Sequence, residues 1–131
     1  MRTDAADFVR VLVPRERVEE DLEPIVSIYR NLGSDSGASV VKRALSDLGL
    51  ALAVLAERMA RRDPAEIRPA LRRVEGMANS LGFVTLVSVC SHLDRCLEVG
   101  DPTAAAAVWA RLCRVAELAL GMEACGGDGA R

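Results

Sequence analysis

Residues 41–59 read VKRALSDLGLALAVLAERM, and within them Val41, Leu45, Leu48, Leu52, Leu55 and Met59 recur at steps of four and three. At 3.6 residues per turn this spacing puts all six apolar side chains on one face of a helix. The pattern predicts an amphipathic helix from about Ser36 to Arg62. Composition points the same way. Ala, Leu, Arg and Glu dominate, and the only aromatics are Phe8, Tyr29, Phe83 and Trp109, which favours helices over strands.

Directly after this helix stands Asp63-Pro64 with Glu66 following. An Asp cap, a proline in the first turn and a Glu three residues past the cap form a helix start. The helix that opens there turns Ile67, Leu71, Val74, Ala78 and Leu81 inward and stops near Gly82, with Arg68, Arg72, Glu75 and Asn79 on its other face. Pro69 lacks a backbone donor, which predicts either a kink or a helix that begins only after it. The next helix carries Leu86, Val89, Cys90, Leu93 and Leu97 inward and ends at Gly100. Asp101-Pro102 repeats the start signal for a last helix burying Val108, Leu112, Val115 and Ala119, flanked by Trp109 and Leu118. Upstream, Val18, Leu22, Ile25, Tyr29 and Leu32 have helical spacing, but Pro24 implies a helix that starts or bends there.

Short links between four long amphipathic helices favour antiparallel neighbours. The expected fold is all-α, an antiparallel up-down four-helix bundle with an N-terminal accessory helix. Residues 1–34 would form an arm and that accessory helix, 35–121 the bundle, and 122–131 a flexible tail. Residues 1–13 read as an extended arm or a helical lid, and Gly126–Gly129 as a frayed end.

A chain of 131 residues, half of them apolar, has the material for one core and not for two. Its 17 basic and 19 acidic residues balance to −2, without a basic block, which argues against nucleic acid as a partner. Asp4 and Asp7 stand where a secretion signal would be cationic, and no apolar run approaches the roughly 18 residues of a membrane span. A cytoplasmic protein without membrane contact is expected. Cys90, Cys96, Cys113 and Cys125 lack CxxC spacing, and with a single histidine they supply no zinc-finger ligand set. They read as reduced thiols, and no metal or cofactor is assigned.

The stretch Leu71-Arg72-Arg73-Val74-Glu75-Gly76-Met77-Ala78-Asn79-Ser80-Leu81-Gly82 resembles the signature of the histidine phosphotransfer (HPt) domain family, His-x-Leu-Lys-Gly-x-Ala-x-x-Leu-Gly. Gly76, Ala78, Leu81 and Gly82 fall on its fixed positions. Leu86, Cys90, Leu93 and Asp94 continue the likeness, and Gly100-Asp101 matches the family's next loop, so that the resemblance covers residues 35 to 120. It implies a bundle that docks a response-regulator receiver domain or a histidine kinase within a two-component phosphorelay.

Two departures bear on activity. Arg72 stands where the family has its phospho-accepting histidine, and Glu75 where it has a lysine that stabilises the phosphoryl group. A guanidinium has no free lone pair near neutral pH, so Arg72 cannot be the nucleophile, and Glu75 places negative charge beside a negative group. The chain is therefore read as a non-enzymatic adaptor without a phosphoacceptor at the signature position. Arg68, Arg72, Glu75, Gly76 and Asn79 are its expected partner-binding residues.

Gly76 inside a helix costs about 0.5–1 kcal/mol relative to Ala, which implies docking, tight packing or inherited neutrality. His92, the single histidine, reads as a boundary side chain at the margin of an apolar stripe. Its rival role is a relocated phosphoacceptor with Arg95 nearby. The arginines 58, 61, 62, 68, 72 and 73 read as a solvated face or a surface for an acidic partner. Two further functions stay open at this point: an active phosphotransfer protein using His92, and a helical structural or oligomerisation module unrelated to phosphorelays. A homodimer is also left open.

Overall fold

The structure, a computed structural model, describes residues 17–121; the readings made for residues 1–13, Cys125 and Gly126–Gly129 lie outside them. Five helices and no strand occur among the described residues: α1 (Glu23–Leu32), α2 (Ser34–Arg61), α3 (Pro64–Leu81), α4 (Val84–Val99) and α5 (Pro102–Leu120). Consecutive helices pack against one another from α1 to α5, and α1 also touches α3. No described helix is long and apolar enough to cross a membrane.

The caps decide where the helices begin and end. Asp63 accepts the Ala65 N–H at 3.0 Å and Asp101 accepts the Ala104 N–H at 3.1 Å, each satisfying one donor that the first turn leaves over. α3 thus begins at Pro64 and runs through Pro69. The donor missing at Pro69 leaves only the carbonyl of Ala65 unserved, and Ala65 is exposed to water. Of the two possibilities at Pro24, the start holds: α1 opens with Pro24 in its first turn.

One core runs through α2 to α5. Leu48, Leu52 and Leu55 meet Leu71 and Val74 of α3, Leu86, Val89 and Leu93 of α4, and Leu112 and Val115 of α5. The inward face expected for α3 is buried in full. On α5, Ala105 and Ala116 are buried as well, while Ala119 is only partly so. In an alanine-rich helix one alanine more or less hardly changes the apolar period, so the sequence did not single these positions out.

α1 buries no residue completely. It is seated where Gly37 of α2 lies against Tyr29; a Cβ at position 37 would come within 2.8 Å of the Tyr29 ring. The segment ahead of α1 is a strap across the α3–α4 turn. The Asp21 N–H donates to the Gly82 carbonyl at 2.7 Å, the Glu19 N–H to Thr85 Oγ1 at 2.7 Å, and the Thr85 N–H to the Glu19 carbonyl at 3.3 Å.

Candidate functional site

α3 and α4 run antiparallel, and their outer seam carries the expected binding residues. Two cross-helix ties fix it. Arg68 Nε donates to Asp94 Oδ1 at 2.9 Å and its Nη2 to Oδ2 at 3.3 Å, a two-pronged pair with each side chain 30% exposed. This hydrogen bonding, and then the charge of Asp94, raises the Arg68 pKa above its ordinary value. Toward the other end of the seam, Ser91 Oγ donates to Glu75 Oε2 at 3.0 Å. Arg68 and Glu75 are thus half-buried and engaged within the fold.

Between these ties Arg72 is exposed and carries no ion pair among the described residues. Gly76 follows one turn later on the same face, and a Cβ built there meets nothing within 4 Å. Tight packing therefore does not explain this glycine. Its carbonyl accepts from Ser80 Oγ at 3.0 Å, and Asn79 is exposed a further turn along. The seam presents a charged donor, a smooth stretch of backbone and an amide in a row about two turns long. Such a strip can bind carboxylates; as an arginine, residue 72 cannot attack a phosphorus atom.

His92 is exposed on α4, rotated about 100° from Ser91 and so away from the seam. Arg95, one turn on, is also exposed. The basic cluster divides. Arg58 pairs with Glu57, Arg61 with Glu57 at 2.6 Å and Glu66 at 3.3 Å, and Arg68 with Asp94, whereas Arg62, Arg72 and Arg73 have no ion pair among the described residues. No three His, Cys, Asp or Glu residues among those described are grouped to hold a metal ion.

Beneath the seam lies Cys90, a fully buried thiol. Burial, with the charge of Glu75 adding to it, pushes its pKa up to about 12. The unfolded chain loses this proton near the ordinary value of 9.0, while the folded chain keeps it. Cys90 therefore contributes stability that is complete below about pH 9 and is lost as the pH rises toward 12. Cys90→Ala lacks this dependence, so its deficit against the parent in urea unfolding should narrow over that window. A constant deficit would place the thiol at its ordinary value.

Sequence reasoning did not identify Ser91 or Thr85 as contact residues, because neither sits in a pattern; both are defined only by what another segment brings to them. No family model, no curated protein and no solved structure matches the chain.

Proposed function

We propose that this chain is an HPt-like signalling adaptor that binds a receiver domain or a histidine kinase in the cytoplasm without itself carrying phosphate. In this reading α2–α5 form an antiparallel up-down four-helix bundle, α1 is its accessory helix, and the α3–α4 seam is the docking face. The observation that carries it is Arg72, exposed and without an ion pair among the described residues, beside the open backbone of Gly76, while Arg68 and Glu75 are held by Asp94 and Ser91. A strip with fixed flanks and an exposed guanidinium between them loses little side-chain freedom on docking and suits an acidic partner site. Nothing in it supplies a nucleophile for phosphoryl transfer.

The test is to mix the purified chain with an autophosphorylating histidine kinase and a phosphorylated receiver domain, following both complex formation and label. The expected result is a complex, with no more label on this chain than on a His92→Ala variant. Acid-labile label that disappears in His92→Ala would instead make the protein an active phosphotransfer domain. If no receiver or kinase is retained, the helical interaction module unrelated to phosphorelays becomes the better account.

A further inference from the structure

At the end of the molecule opposite the strap, α2 and α5 approach each other less closely than either approaches its sequence neighbour, although both contribute to the common core. Between them opens a groove of about 760 Å³, within the range of roughly 300–1,000 Å³ typical of small-molecule sites. The side chains facing it from α2 and α5 include Ala56, Ala60, Ala105 and Ala106, too short to fill the gap. Met59, Ile67, Leu97 and Trp109 make its walls apolar. No buried side-chain nitrogen or oxygen among the described residues lacks a partner, so the groove asks no hydrogen bond of whatever fills it.

The mouth is different in character. Arg62 lines it, exposed and without an ion pair among the described residues, whereas its neighbours Arg58 and Arg61 are held by Glu57 and Glu66. Asp101, the one acid in the lining, has its Oδ1 engaged by the Ala104 N–H. Arg62 is the one cation among the residues that line the groove. In length the groove follows α5 from Pro102 to Trp109, about 10 Å, which is short for a docking helix or the face of a second subunit.

We propose that this groove binds one molecule of a single-chain amphiphile with a carboxylate head, a medium-chain fatty acid or a close analogue. Its chain lies along Met59, Ile67 and Trp109, and its carboxylate pairs with Arg62. Burial of the chain supplies the attraction, and the ion pair at the mouth sets the direction of entry.

Trp109 is the single tryptophan and lines the groove, so its emission reports filling directly. Titration of the full chain with decanoate, below its micellar concentration, should give a saturable shift, and 1-decanol a weaker one. Arg62→Gln should weaken decanoate about three- to tenfold and leave 1-decanol unchanged, since only an exposed charge-assisted contact is lost. Ala106→Trp should abolish both, read by calorimetry because the added indole obscures the emission; Ala106 is exposed, so the larger side chain fills the groove without entering the core. Absence of a saturable shift overturns the proposal, as does equal weakening of both ligands by Arg62→Gln. A dimer that Ala106→Trp dissociates would assign the groove to a second copy. Binding that appears only when Phe8 and Leu12 are replaced by Asp would assign it to residues 1–16. Either of these outcomes also overturns it.

Discussion

Gly82→Ala is expected to lower the unfolding free energy by about 2–4 kcal/mol. Two independent demands meet at this residue. Its φ of +82° lies in the left-handed region, where a Cβ costs roughly 1–2 kcal/mol. In addition, a Cβ at this position would fall 1.9 Å from the Asp21 carbonyl oxygen and 3.0 Å from its carbon, both backbone atoms that cannot rotate aside. Relief requires the strap to lift, and the 2.7 Å bond from the Asp21 N–H to the Gly82 carbonyl goes with it, worth about 1 kcal/mol. Gly100 separates the two demands. Its φ is +81° but nothing lies within 4 Å of its virtual Cβ, so Gly100→Ala pays only the conformational cost. Urea unfolding should show Gly82→Ala the more damaging by at least about 1 kcal/mol, and amide exchange should show lost protection at Asp21 in that variant alone. Equal losses for the two variants would mean that the strap is not held against the turn.

Gly76 and Gly82 both fall on fixed positions of the signature that residues 71–82 resemble; the sequence reads the first as helix-interior and the second as a helix stop, but not what faces either. The structure gives them different reasons for being glycine. Gly82 ends a helix and seats the strap; Gly76 is helical, exposed and unopposed. The same contrast runs through the molecule. Helix starts at Asp63-Pro64 and Asp101-Pro102, and the buried face of α3, were legible because caps and periodicity are local and act on the chain that carries them. The seam was legible in part. Spacing alone places Arg68, Arg72, Glu75 and Asn79 on one side of α3, but it cannot say that Asp94 will engage Arg68 and Ser91 will engage Glu75, because those partners arrive from another helix. The strap and the open groove were not legible at all. The first rests on hydrogen bonds between residues such as Glu19 and Thr85, remote in sequence, and the second on how closely α2 and α5 approach at one end of the fold.

Gly76 and Arg72 together give the sharpest test of the docking face, because stability and binding should move in opposite directions there. With open space above it, Gly76→Ala should stabilise the chain by about 0.5–1 kcal/mol through lower unfolded-state entropy and better helix propensity. If a partner's surface lies against that backbone, a longer side chain has to be accommodated in the interface, and Gly76→Leu should abolish binding while leaving the fold intact. Arg72 supplies the electrostatic half. At a partly dehydrated interface, truncating one partner of a charge-assisted pair costs about 2–5 kcal/mol, whereas losing a solvated arginine costs about 0–1 kcal/mol. Arg72→Ala should therefore weaken binding to an unphosphorylated receiver domain at least roughly tenfold, and added salt should weaken the parent complex more than the variant. If the receiver's docking site holds the cluster of acidic residues around a phosphorylatable aspartate that the resemblance implies, phosphorylating or metal-loading the receiver should compete with the guanidinium there. Arg68→Ala provides the internal reference. It breaks the tie to Asp94 and should cost stability, with a smaller effect on binding because its guanidinium is already engaged. Should Arg72→Ala bind as tightly as the parent while Gly76→Leu does not bind, the face docks by shape and Arg72 is a bystander. Should neither change matter, the α3–α4 seam is not the docking face, and the likeness in residues 71–82 reflects helix packing alone.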